Sequence, residues 1–206
     1  DASFLLLIEG VYMSVYIHCG LRSPIGVLNG QYKHMRPEVL GAKVIDALIN
    51  CHSISQVDGL FCGNVVGTGG NIGRLMGLMC NLPNSVPAIT VDMQCASALM
   101  SIEMAYTHIA SGVMDAVIAG GIESSSLQPE RVYALGDDRK GTYKVAQFTP
   151  QDQSHLAMLE GAERTIHKHN VTKEDLYPHI IGSHQRASAA LDNPYLQSYI
   201  MPITID

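Results

Sequence analysis

Charge is scarce in this 206-residue sequence and nowhere concentrated. Charged residues make up 16% of the chain, and its 13 basic and 19 acidic side chains, net −6, form no block of five or six of one sign. A nucleic-acid binder carries a basic patch or stripe, so DNA and RNA drop out as expected partners. Long apolar runs are missing too. The run from Phe4 to Ile8 sits between Asp1 and Glu9 and falls far short of the roughly 18 residues a membrane span needs, so no membrane partner is expected. A basic n-region with a cleavage site is also absent. The five cysteines (Cys19, Cys51, Cys62, Cys80 and Cys95) are odd in number and scattered through apolar segments, unlike a disulfide framework. A reducing, cytoplasmic setting follows as the expectation. No C-x-x-C or H-E-x-x-H spacing occurs, and His167 and His169 stand two apart, off a common helical face, so no metal is expected.

What is present is the composition of a globular protein. Hydrophobic residues reach 47%, with 19 Gly and 9 Pro, and a chain of this length can bury about 70% of its unfolded surface. One domain, or a domain with an appendage, fits that size.

The pattern along the chain is strand and helix in alternation. Val15, Ile17 and Cys19 alternate with Tyr16 and His18 before the turn signal Ser23-Pro24-Ile25-Gly26, which predicts a strand and its exit. Pro37-Glu38 opens a helix with Leu40, Val44, Ile45, Leu48 and Ile49 on one face. Leu60 to Val66 reads as a second strand, Ile72 to Met79 as a helix, Ala88 to Val91 as a strand, Cys95 to Ser111 as a long helix, and Ala116 to Ala119 as a strand stopping at Gly120-Gly121. This rhythm predicts an α/β fold with right-handed crossovers on a mostly parallel sheet. Between Ala96 and Ala110 Glu103 is the sole formally charged residue. A helix that apolar is expected to be buried all round, sandwiched between two sheets, one of them not encoded in these residues.

The rhythm stops after Gly121. Residues 122–206 carry 8 of the 13 basic and 11 of the 19 acidic residues, so the α/β core is assigned to 13–121 and a more solvated unit to 122–206. Residues 1–12 read as an extension outside the native chain, because Met13 directly precedes the first predicted strand. In the later unit a helix is expected from His155 to His169, and Thr172 with Asp175 reads as the cap of another, which Pro178 should kink or split.

Few side chains suggest chemistry. Cys95 falls on a strand-to-helix turn, where first-turn amides and the macrodipole favour a thiolate; the alternative is a small buried hydrophobe. The other four cysteines sit in apolar faces. Gly67-x-Gly69-Gly70-x-x-Gly73 resembles a dinucleotide fingerprint, but its third glycine falls one position late, and a tight turn between close-packed backbones is the simpler reading. His155, His179 and His184 read as surface or loop residues. Glu123 ends a strand at the carboxyl edge of the sheet, where it reads as a carboxylate holding the following loop.

Taken together, four motifs carry a family resemblance: Arg22-Ser23-Pro24-Ile25-Gly26; Gly63-Asn64-Val65 with Asn71-Ile72-Gly73-Arg74; Val91-Asp92-Met93-Gln94-Cys95-Ala96-Ser97-Ala98-Leu99; and Ala119-Gly120-Gly121-Ile122-Glu123-Ser124-Ser125-Ser126. In order and spacing they resemble the N-terminal half of a thiolase of the acetyl-CoA acetyltransferase type. Met158-Leu159-Glu160-Gly161-Ala162-Glu163 and Ser183-His184-Gln185-Arg186-Ala187 are similar to part of the loop domain that covers the coenzyme in that family.

The resemblance implies acyl transfer through an acyl-cysteine intermediate at Cys95, forming or cleaving a 3-ketoacyl-CoA. It implies an acyl-CoA substrate with no separate cofactor, Met158 lining the pantetheine channel with Ala157 replacing the histidine that usually precedes it, and a dimer or tetramer. Members of the family run to about twice this length. Their second half supplies a His in Gly-His-Pro, a Cys in Cys-x-Gly and a water-fixing Asn, and neither of those two motifs occurs in these 206 residues. The resemblance therefore implies a truncated chain, inactive or impaired alone, that holds the nucleophile without its activating partners. The alternative is a non-catalytic thiolase-like module that associates with itself or with another chain through the apolar face a missing half would cover.

Overall fold

The computed structural model describes residues 2–9, 14–67, 69–144, 147, 154 and 156–205. The chain divides into two compact units, one of residues 1–129 with 199–206 and the other of residues 130–198.

The first unit is a five-stranded mixed sheet with helices on both faces. Its strands are β1 (Ala2–Glu9), β2 (Val15–Arg22), β3 (Gly59–Gly63), β4 (Ala88–Val91) and β5 (Ala116–Ile122), in the order β2-β1-β5-β3-β4. β3 runs parallel to β4 and β5, while β1 runs antiparallel to β2 and β5. Four strands therefore share one direction, and the mostly parallel α/β reading holds. Residues 2–9, read from the sequence as part of an extension, form the strand between β2 and β5, with Ala2, Phe4, Leu6 and Leu7 buried.

Helices α1 (Pro37–Cys51) and α2 (Ile72–Met79) cover one face; α3 (Ser97–Ala110) lies on the other. The larger core joins Phe4 and Leu6 to Val44, Ile45 and Leu48 of α1 and Met76 of α2. The smaller one, beneath α3, joins Leu7, Phe61, Val117 and Ala119 to Ala105 and Ile109. Pro37 fits the first turn of α1, where its missing N–H removes no intrahelical bond. At α2 the Asn71 side chain accepts from the Arg74 amide at 3.0 Å, an N-cap bond that sets where the helix starts.

Two sequence expectations are corrected. β5 does not stop at Gly120-Gly121 but runs through both to Ile122, because the glycines pair with β1 and β3 inside the sheet. The long helix begins at Ser97 rather than Cys95, because Gln94 takes a left-handed φ of 52° and turns the chain before it winds. In the first unit α3 has one sheet beneath it, and Leu99 and Tyr106 remain 67% and 55% exposed.

The second unit contains a two-stranded hairpin, β6 (Arg131–Val132) with β7 (Thr142–Tyr143), then α4 (Ala157–Lys168), α5 (Lys173–Leu191) and α6 (Pro194–Gln197). Thr172 and Asp175 form the expected reciprocal capping box of α5. Pro178 does not end or split that helix. It forgoes a bond only to the Glu174 carbonyl in the exposed first turn, where water can serve instead. None of the residues of α4, α5 or α6 is buried.

Candidate functional site

The site lies at the carboxyl ends of β3, β4 and β5, where the first turn of α3 meets the sheet. The register sets its floor: Ser3 of β1 lies opposite Gly121 of β5, which lies opposite Gly63 of β3. Side chains on the two glycines would collide with the helix. A Cβ at Gly63 would stand 2.5 Å from the Ala98 amide nitrogen, and one at Gly121 would stand 3.0 Å from the Ala98 Cβ. The pair of glycines thus lets α3 begin directly on the sheet.

The turn carrying Cys95 is built by its neighbours. The Asp92 Oδ1 accepts from the Gln94 amide at 2.9 Å, and the buried Ser97 hydroxyl accepts from the Met93 amide at 2.8 Å while donating to the Gln94 carbonyl at 2.6 Å. These bonds hold Gln94 in its left-handed conformation, which for a residue with a side chain costs on the order of 1 kcal/mol. Cys95 follows it, exposed, two residues before the first residue of α3. Burial separates three other cysteines from it: burial pushes the Cys62 thiol up to about 12 and raises those of Cys19 and Cys80. Cys51 is exposed at the far end of α1.

Cys95 opens into a cavity of about 410 Å³ whose polar lining is Ser3, Asn64, Gln94, Ser97 and Glu123. Glu123 holds more than the loop after it. Its Oε2 accepts from the amides of Val65 at 3.0 Å and Val66 at 2.8 Å, and its Oε1 accepts from Asn64 Nδ2 at 3.3 Å and the Ser124 amide at 3.2 Å. Asn64 Nδ2 also donates to the Ile122 carbonyl at 2.8 Å. The exit of β3 is thereby tied to the end of β5. Sequence reasoning placed Glu123 but missed its hold on Asn64, Val65 and Val66, which lie some sixty positions away and leave no local signal. Asp92 and Ser97 did leave one: Asp two residues before a turning Gln, and Ser where a helix opens, are Asx-turn and capping spacings.

The glycine run before α2 serves packing. The Gly73 amide donates to the Thr90 hydroxyl at 2.9 Å, and Asn71 takes the Arg74 amide, so two first-turn donors that a phosphate would meet are already bonded within the protein. Residue 68 of that run lies outside the described residues.

Met158 belongs to the second unit, in the first turn of α4, 80% exposed. His179 and His184 are exposed on α5, and His155 lies outside the described residues. Among the described residues no group of three His, Cys, Asp or Glu side chains is placed to hold a metal ion, and no helix is long and apolar enough to cross a membrane.

Comparison with known proteins agrees with this α/β fold. A Staphylococcus aureus (strain MW2) protein, provisionally named acetyl-CoA C-acetyltransferase VraB, is 33% identical over 190 residues, covering 89% of this chain and 50% of that protein. Another from S. aureus (strain NCTC 8325 / PS 47), provisionally named acetyl-CoA acyltransferase, is 31% identical over 207 residues, covering 93% of this chain and 51% of its own length. The crystal structure of the Bacillus anthracis acetyl-CoA acetyltransferase superposes with a TM-score of 0.81 at 25% identity, covering all of this chain and 52% of that one. The chain thus spans about half the length of these relatives. The model of the thiolase N-terminal domain matches residues 15–206, and the chain belongs to the thiolase family.

Proposed function

We propose that this chain carries the acyl-accepting site of a thiolase-type acyltransferase, with a coenzyme A thioester as substrate and Cys95 as the nucleophile. The observation that carries the reading is the exposed Cys95 thiol on a braced turn, opening into a cavity whose floor is cleared by Gly63 and Gly121. In the first step the Cys95 thiolate adds to the thioester carbonyl, a new carbon–sulfur bond forms, the bond to coenzyme A breaks, and coenzyme A leaves as a thiolate that takes up a proton. The acyl group then passes to the α-carbon of a second acyl-CoA, which gives up a proton as the acyl–Cys95 bond breaks and the released thiolate regains one, giving a 3-ketoacyl-CoA; in the thiolytic direction the acyl group returns to coenzyme A. The Cys95 backbone N–H is a donor for the oxygen that becomes negative during addition. Met158 lines the pantetheine path, and the working form is a dimer or tetramer.

Acyl transfer onto Cys95 predicts exchange. With acetyl-CoA and isotopically labelled free coenzyme A, label appears in acetyl-CoA, and Cys95→Ala abolishes the exchange. Equal exchange in the variant would refute the assignment of the nucleophile.

The exposed outer face of α3, with Leu99 and Tyr106, favours a second reading: a module that associates with itself or another chain without catalysis. A monodisperse monomer in light scattering at micromolar concentration would argue against it.

A further inference from the structure

The polar groups around the cavity differ in whether they are already engaged. Asn64, Ser97 and Glu123 are each held by hydrogen bonds within the protein. Among the described residues, no side-chain hydrogen bond engages Ser3 or Gln94. Ser3 is exposed, in register with Gly121, on the face of β1 that also turns Leu5 and Leu7 toward α3, while Ala2, Phe4 and Leu6 turn to the opposite core. The family match begins at residue 15, so the strand that brings Ser3 to the cavity lies outside it.

We propose that Ser3 is a substrate-binding residue of the Cys95 cavity, its hydroxyl donating a hydrogen bond to the carbonyl oxygen of the group that reacts at Cys95. A hydroxyl rotates freely about its C–O bond and can donate to a carbonyl or accept from a hydroxyl, so it suits a substrate with oxygen near the reacting carbon. The inference rests on the acyl-transfer reading for its biological meaning, in which the oxygen Ser3 meets is the thioester carbonyl that every acyl-CoA carries.

The test uses the whole chain and three probes: acetyl-CoA, iodoacetamide, whose carbonyl Ser3 can meet, and iodoethane, which has none. Adducts at Cys95 are read by peptide mapping, with exposed Cys51 as the reference. Ser3→Ala is expected to slow iodoacetamide relative to iodoethane at Cys95 by roughly three- to tenfold, the usual effect of losing one neutral hydrogen bond. Acetylation slows in parallel, and Ser3→Thr, which keeps the hydroxyl, restores the parent ratio. An unchanged iodoacetamide-to-iodoethane ratio in Ser3→Ala would overturn the proposal. A parent chain that is never acetylated, but whose alkylation ratio still shifts in Ser3→Ala, would contradict the acyl-transfer reading while supporting the assignment of Ser3.

Discussion

Gly63 stands opposite Gly121 in the parallel pairing of β3 and β5, and the first turn of α3 rests on the two. No side chain fits between sheet and helix there, so the position of Cys95 depends on two residues that take no part in chemistry. Gly63→Ala sets a methyl 2.5 Å from the Ala98 nitrogen and 2.6 Å from the Ser97 carbonyl carbon, both backbone atoms that cannot swing aside. The expected loss is about 1–3 kcal/mol in urea unfolding, the range for overpacking, together with slowed alkylation of Cys95. Gly121→Ala meets the Ala98 Cβ at 3.0 Å and the Gly63 carbonyl oxygen at 3.2 Å, longer approaches than those at Gly63, and should lose less.

Glu123→Ala removes both acceptor oxygens from the Val65 and Val66 amides and from Asn64. Losing hydrogen bonds to a charged acceptor costs about 1.5–3 kcal/mol, so the midpoint of urea unfolding should fall accordingly. Amide exchange at Val65 and Val66 should accelerate beyond what the global loss explains. Unchanged exchange at those two amides would show that the carboxylate does not hold the exit of β3.

How much of this was legible in the sequence depends on the range of the interaction. The start of α1 at Pro37 and the limits of α2 and β4 are local matters of a first-turn proline, a capping Asn and a short apolar run, and they appear where the pattern puts them. β1 was not legible as a strand because a strand buried between two neighbours reads as a continuous apolar run, and Phe4 to Ile8 shows no alternation. Gly120-Gly121 reads as a stop only while the helix above it is unknown. Cys95 announced itself through its strand-to-helix context, whereas Ser3 and the partners of Glu123 come together only through sheet register.

Asp58 predicts a pH dependence. Its carboxylate is held below the usual range, first by the Gln56 side-chain amide at 3.0 Å and also by the amides of Asp115 and Ala116, against the opposing effect of burial. With the folded value below the unfolded one of about 3.9, Asp58 contributes stability above that value and loses it as pH falls through the folded value. Asp58→Asn should therefore be less stable than the parent near pH 6, with the difference shrinking toward pH 2. Unfolding curves across that range measure it, and a gap that stays constant would contradict the assignment.

Asn71→Ala removes the cap of α2 and the partner of the Thr90 hydroxyl, which donates to Asn71 Oδ1 at 2.7 Å. A loss of about 1 kcal/mol in thermal or urea unfolding is expected, typical for an N-cap. Because α2 lies on the sheet face opposite α3, iodoacetamide should alkylate Cys95 at the parent rate.

The central claim is that Cys95 accepts an acyl group from a coenzyme A thioester. Intact mass after incubation with acetyl-CoA, followed by peptide mapping, tests it most directly. The account predicts one acetyl group per chain, located on Cys95 and absent in Cys95→Ala. A folded chain that gains no acetyl group, or gains it equally at Cys51 and Cys95, would contradict it.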